Sequence, residues 1–331
     1  MRRVLLLLLA ALLLVGCSME PKNWSVTVDG QELTTKTVTQ GRTVYVRTEE
    51  MEAALDTRLD ESKAVIISGE SWHDLYDVCE AFSLSVLEDE AQERFYCTSG
   101  ILGWEIPEGY SVPVIMYHGV TDDVWGDADM FLSPVDMENH LKYLVENGYD
   151  PIWFEDLAHV ADYDKPIVLT FDDGYVCNYE TLYPMLQKYN VKATISIVTS
   201  SMSNRPTSMT REMVRELADS GLVSIQSHTV SHKSLLKCDR KAKEYEIVQS
   251  ELEVARITGR EPLLLCYPGG GYDDEVLQIG KDHYRFAITV KNGTYVTGTD
   301  QLQIPRYSVG RGTTVEQFSA MLDSVEYLQS R

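Results

Sequence analysis

The sequence predicts an α/β fold: a distorted (β/α) barrel from about residue 106 to the end, preceded by a small α+β domain. Three observations predict it. From residue 112 onward, short apolar runs alternate with amphipathic helical stretches, the pattern of a parallel sheet with right-handed crossovers. The Pro/Gly-marked stretch Ile106-Pro107-Glu108-Gly109-Tyr110-Ser111 separates this region from a differently patterned one before it. Chemically distinctive residues, namely His118, Asp172, Asp173, His228 and Pro268, all fall just after apolar runs. In barrels of this kind the reactive groups gather at the carboxyl ends of the strands.

The elements follow in order. Trp24 to Gly30 alternates and ends in an Asp-Gly turn, which reads as a strand. Gly41 to Val46 and Ala64 to Ile67 read as further strands, Glu49 to Leu55 as a short helix, and Trp72 to Phe82 as a second helix. In the larger region Val112–Tyr117 is expected as a strand. Pro134–Asn147 is expected as a helix, with Ser133 as its N-cap and Gly148 beyond its end. There follow a helical turn over Glu155–Asp162, a strand over Pro166–Phe171, a helix over most of Tyr175–Tyr189 and a strand over Lys192–Val198. Thr210–Ser220 (helix), Val223–Ser227 (strand), Asp239–Thr258 (long helix), Leu263–Tyr267 (strand), Asp273–Asp282 (helix) and Phe286–Val290 (strand) complete the series. About seven such units are enough to close a sheet on itself.

Arg2 and Arg3 precede an apolar run from Val4 to Val15, which is shorter than the ~20 residues needed to span a bilayer. The run ends in Leu14-Val15-Gly16-Cys17, which resembles a bacterial lipobox. The resemblance implies a leader over residues 1–16, cleavage before Cys17 and lipidation of its sulfur. The mature protein would then sit on the extracellular face, anchored by lipid to the bacterial cell membrane. The formal net charge is −22, which repels phosphate backbones and argues against nucleic acid as a partner. A neutral glycan, or one bearing free amines, is compatible with it. Cys79 and Cys97 share the smaller region of an exported chain and are expected to pair as a disulfide. Cys177, Cys238 and Cys266 are scattered and read as unpaired thiols.

Within residues 17–105 the stretches "VTVDGQEL", "GRTVYVRTEEMEAAL" and "KAVIIS" resemble the copper-amine-oxidase N-terminal-like domain of bacterial surface proteins. The resemblance implies a spacer or wall-binding role. It carries no copper chemistry, because His73 alone cannot make a copper site.

The chemistry concentrates in Thr170-Phe171-Asp172-Asp173-Gly174 and His228-Thr229-Val230-Ser231-His232. Alternation along a continuing strand would turn the two carboxylates opposite ways. Imidazoles four residues apart can meet one metal from a helical turn or from a loop. Each feature alone has a bland reading, as a strand-ending turn or as two surface histidines. Together they offer a divalent metal one carboxylate and two neutral nitrogens and leave one carboxylate over, the parts of metal-assisted hydrolysis with a separate base.

Residues 112–312 resemble the polysaccharide deacetylase (NodB-homology) family, carbohydrate esterase family four. The resemblance rests on "TFDDG" at 170–174, "SHTVSH" at 227–232 and "YPGGGY" at 267–272. "VPVIMYHGV" at 112–120 is similar to the branch that deacetylates poly-N-acetylglucosamine. The resemblance implies Asp172 as general base, Asp173, His228 and His232 as ligands of a divalent metal (Zn²⁺ foremost), His118 as general acid, and the Gly269 N–H as oxyanion donor. The substrate it implies is an N-acetylated polysaccharide at the cell surface. The sequence departs from the family twice. Many relatives carry arginine where Cys266 stands and an aromatic residue where Gly269 stands. That arginine orients the base, so Asp172 needs another partner, and Arg306 is the candidate. The departures keep open a catalytically idle, glycan-binding lipoprotein, and the fold also suits an O-acetyl esterase acting on xylan-like polymers.

Overall fold

The computed structural model describes residues 22–99 and 105–327; the expected leader and Cys17 lie outside the described residues. The first unit packs two four-stranded sheets. One runs in the order Gln31–Glu32, Ser25–Val28, Arg94–Thr98, Ser85–Asp89; the other runs Val38–Gln40, Thr43–Arg47, Glu70–Asp74, Val65–Ile67. Val44 and Val46 alternate inward along their strand and join Val26, Val28, Met51, Leu75 and Phe95 in one core.

The helix expected over Trp72–Phe82 is shorter than its pattern suggests. Glu70–Asp74 is a strand, and the helix runs only from Leu75 to Ala81. Tertiary pairing overrides the local pattern: Trp72 and His73 lie opposite Arg47 and Val46, and Asp74 caps the helix through the Tyr76 and Asp77 amides. The His73 ring is held by Thr48 Oγ1 at 2.8 Å and the Asp60 carbonyl at 3.0 Å. Cys79 and Cys97 are brought together in the core, but as two thiols with their Sγ atoms 3.7 Å apart; the expected disulfide is not formed in this structure.

The second unit is built on a curled parallel sheet in the order Phe286–Ile288, Leu264–Cys266, Val223–Ser227, Ala193–Ile197, Pro166–Phe171, Val114–Tyr117, Tyr307–Ser308. Its two ends meet through one stretch of chain. Ile304 bridges Ile288, and Tyr307 and Ser308 pair with Ile115 and Met116. Arg306 lies between these two pairings. The closing strand is too short and irregular to announce itself by hydrophobic period.

Along Pro166–Phe171, Ile167, Leu169 and Phe171 face the outer helices, while Val168 joins a second cluster with Val114, Leu264, Cys266, Ile288 and Ile304. That second cluster is the barrel interior. Phe154, Leu157 and Val160 belong to it as well. They lie on a 3₁₀ turn, Phe154–Asp162, that precedes a strand and so plugs the amino-terminal mouth. The helix expected over Tyr175–Tyr189 is a wide turn at Asn178–Leu182 followed by regular helix at Tyr183–Tyr189.

The two units meet at this same amino-terminal end. Arg256, in the last turn of the long helix Arg240–Thr258, makes a two-pronged contact with Asp89, at 2.6 and 2.8 Å. The Glu261 amide donates to Thr98 Oγ1 at 2.9 Å and Arg260 Nε to the Asp29 carbonyl at 3.1 Å. Gly259 caps the helix with φ +76°, and a Cβ there would come within 2.6 Å of Gly30 Cα, so backbone lies directly on backbone.

Burial alone would raise the Asp89 carboxyl, but the Arg256 guanidinium more than offsets this and holds it below its ordinary value. A depressed carboxyl stabilises the fold fully above the unfolded range near ~4, and the contribution is lost as pH falls through the folded value. Asp89→Asn is therefore expected to cost about 2 kcal/mol in urea unfolding at neutral pH. The gap to wild type should narrow below about pH 4. A gap of unchanged size in acid would contradict the pairing.

Candidate metal-dependent active site

The strand Pro166–Phe171 carries the two carboxylates. Asp172 extends the inward parity of Val168 and Thr170, and its amide still pairs with the Tyr117 carbonyl at 3.0 Å. Asp173 then departs from the strand with φ +74°, a left-handed conformation. The carboxylates diverge because of this turn at Asp173, not because strand alternation continues through it as expected. Gly174, also at positive φ, completes the turn.

Val223–Ser227 delivers the histidines. His228 follows the strand directly and is buried, whereas His232 lies four residues on in a loop, with 44% of its side chain exposed. The loop, rather than a helical turn, brings the rings together: Thr229 and His232 have φ +65° and +56°, and the ring centroids are 4.6 Å apart. His228 Nε2 and His232 Nε2 lie 3.6 and 3.5 Å from Asp173 Oδ1. One ligand atom from each of Asp173, His228 and His232 lies within 4.8 Å of the others.

The donor set fits a divalent metal on its own chemistry. His228 Nδ1–H donates to the Cys266 carbonyl at 2.7 Å, which leaves the Nε2 lone pair directed at Asp173. Burial pushes the His228 imidazole below its ordinary value and so keeps it neutral, the form that ligates.

Asp172 is held from the stretch of chain that closes the barrel. Arg306 Nη1 donates to Oδ1 at 2.9 Å and Nη2 to Oδ2 at 2.8 Å, a planar two-bond pair with both residues buried. The remaining Arg306 donors reach Thr170 Oγ1, the Thr289 carbonyl and Cys266 Sγ at 2.9, 2.8 and 3.6 Å. Burial alone would raise the Asp172 carboxyl, yet the guanidinium overrides it and holds the group far below the usual carboxylate range. The arginine missing at position 266 is thus replaced from position 306, and the small Cys266 side chain leaves it room.

His118, one residue beyond the strand Val114–Tyr117, lines the same cleft of about 480 Å³ as Asp172, Asp173, His228, His232 and Gly269. Asn178 Nδ2 donates to the His118 carbonyl at 2.8 Å and so fixes the backbone there. Gly269 is exposed at the mouth with φ +61°, and nothing lies within 4 Å of where a Cβ would stand. The structure therefore gathers His118, Asp172, Asp173, His228, His232, Gly269 and Arg306 around one cleft or directly behind it. Cys79 and Cys97 lie in the other unit.

Several supports of the site carry no motif in the sequence. The Cys266 carbonyl could not be found from a side-chain motif. Thr170 had a signal, its parity with Asp172. Tyr175 also lines the cleft; burial and then the adjacent Asp173 carboxylate push its hydroxyl up.

The family profile described as polysaccharide deacetylase matches residues 159–285. Among solved structures, a Bacillus anthracis protein provisionally described as a polysaccharide deacetylase is 34% identical, with a TM-score of 0.61 over 64% of this chain and 69% of that one. A polysaccharide deacetylase from Bacillus cereus is 29% identical, with a TM-score of 0.61 over 76% of this chain and 81% of that one. The poly-β-1,6-N-acetyl-D-glucosamine N-deacetylase of Escherichia coli is 30% identical over 134 residues, which span 35% of this chain and 20% of that protein. With the fold, the strand-end placement of the site and these likenesses in agreement, the chain belongs to the polysaccharide deacetylase family.

Proposed function

We propose that the protein is a metal-dependent hydrolase that removes N-acetyl groups from an N-acetylglucosamine-containing polysaccharide at the cell surface. The observation that carries this reading is the convergence of Asp173, His228 and His232 within 4.8 Å, beside a carboxylate, Asp172, that is not in that ligand set. The similarity to the Escherichia coli N-deacetylase favours an acetamide of N-acetylglucosamine over an O-acetyl ester. The lipobox-like Cys17 and the acidic surface suit a lipid-anchored protein that meets a neutral or amine-bearing polymer outside the cell.

Asp173, His228 and His232 would hold the ion, Zn²⁺ foremost, though two imidazoles and a carboxylate also suit iron or cobalt. When bound, such an ion supplies Lewis-acid polarisation of a carbonyl and acidifies water. The residues around it do the rest. Asp172, ionised and held in the plane of the Arg306 guanidinium, takes a proton from the attacking water through a lone pair that Arg306 leaves free. The Gly269 N–H stabilises the oxyanion at the mouth of the cleft. His118, from the neighbouring strand end, returns a proton to the departing amine. The products are acetate and a glucosamine unit. The loss of arginine at position 266 suggested an idle protein; the contact of Arg306 with Asp172 supports an active one.

Asp172→Asn is expected to lower kcat for acetate release from N-acetylglucosamine oligomers about a thousandfold, while metal content by elemental analysis stays at the wild-type level. Equal turnover in the two proteins would refute the base assignment. Chelation should abolish acetate release and added Zn²⁺ should restore it, while His228→Ala should not regain activity at the same Zn²⁺ concentration. Acetylxylan tested in parallel should be the poorer substrate. Arg306→Lys keeps the charge but not the fork, and is expected to cut kcat by about ten- to a hundredfold. Arg306→Met leaves a buried unpaired carboxylate and should cost about 3–5 kcal/mol in denaturant unfolding.

A further inference from the structure

We propose that Glu246 is a positioning residue for the metal ligands, acting through the loop that carries His232. This inference rests on the metal-site reading above. Glu246 stands on the long helix Arg240–Thr258, eighteen positions after His228, and only 2% of it is exposed. Its side chain makes no use of the helix and turns instead to the ligand loop. Glu246 Oε2 accepts the Ser231 amide at 2.7 Å, and Oε1 accepts the Ser231 hydroxyl. The backbone carbonyl of Glu246 accepts the Val230 amide at 3.2 Å. Two successive N–H groups between the two histidines therefore end on this one residue.

The loop needs such a hold. Thr229 and His232 both sit in the left-handed region, a conformation that is strained for a non-glycine residue and persists only where surroundings impose it. From the other side, the Thr199 and Ser200 amides bind the Thr229 and Val230 carbonyls at 3.2 and 2.9 Å, so the peptide units are clamped on both edges. Among the described residues no buried cation pairs with this carboxylate. Its nearest cation is Lys233 Nζ at 3.9 Å, on a side chain that is 70% exposed. A buried carboxylate is retained where hydrogen bonds to it are specific, and here they go to the residue immediately before His232. Outer groups of this kind orient ligands, and their loss typically weakens metal binding ten- to a hundredfold.

The test measures the Zn²⁺ dissociation constant of the purified protein by competition with a chromophoric chelator, alongside thermal unfolding without metal. Glu246→Gln is expected to weaken Zn²⁺ binding about tenfold or more. Ser231→Ala, which removes the hydroxyl contact and keeps the amide one, should weaken it about threefold, and the double variant should do no worse than Glu246→Gln, since the Ser231 hydroxyl acts through the Glu246 carboxylate. Glu251→Gln is the control. It lies on the same helix, is 1% exposed and pairs with His283 at 2.8 Å away from the loop, so it should lower thermal stability and leave the Zn²⁺ constant unchanged. A Glu246→Gln constant within twofold of wild type, or equal weakening in Glu251→Gln, overturns the positioning role. If Glu246→Gln does not fold, an unchanged constant in Ser231→Ala overturns it alone. Failure of the wild-type protein to bind Zn²⁺ at all overturns the metal-site reading and this inference with it.

Discussion

The Asp172–Arg306 pair is the interaction on which the rest of the active end depends. It lies inside the barrel, where an isolated charge would be costly, and it is tolerable because every N–H of the guanidinium has an acceptor: two on Asp172, and one each on Thr170, Thr289 and Cys266. The arginine sits in the stretch that joins the last strand of the sheet to the first. Closing the barrel and orienting the carboxylate are therefore one event. The same arrangement explains why Cys266 is compatible with an intact site. A second guanidinium at position 266 would have to share the acceptors that Arg306 already saturates, whereas a thiol fills the space and accepts a weak contact.

The candidate metal ligands obey a different constraint. Asp173, Thr229 and His232 all hold left-handed backbone, and such residues do not settle there by preference. Asp173 is followed by a glycine that finishes its turn, and the Ser227 hydroxyl accepts the Thr229 amide while Thr229 Oγ1 accepts the His232 amide. The strain is thus offset by short-range hydrogen bonds within the loop and by longer-range ones from neighbouring elements. What results is three donor atoms from two strand ends held at one point before any ion arrives, so that less ordering is left for binding to impose.

How much of this was legible in the sequence varies with the range of the cause. The strand series from Val114 to Ile288 and the residues after each strand were legible because apolar runs and polar exits are local signals. Arg306 was found by need rather than by pattern: a base that lacks its usual partner must have another. The strand at Glu70–Asp74 was not legible, since Trp72 and His73 take their conformation from pairing with Arg47 and Val46, and their side chains suit helix or strand alike. The route by which Asp173 reaches the cleft was not legible, because a left-handed residue before glycine leaves no periodic trace. The Cys266 carbonyl, which fixes the His228 tautomer, belongs to the backbone and could carry no residue signature at all.

The position of the smaller unit follows from the same polarity of strands. Its contacts fall on Arg256, Gly259, Arg260 and Glu261, at the end of a helix and before the strand Leu264–Cys266, whereas the chemistry lies beyond the other end of that strand. None of the residues that line the cleft comes from the smaller unit among the described residues. A domain placed there contributes no side chain to the cleft. The contact is also stiff. A two-pronged ion pair, with Asp89 buried and Arg256 partly so, and a glycine-on-glycine approach leave little freedom to swing.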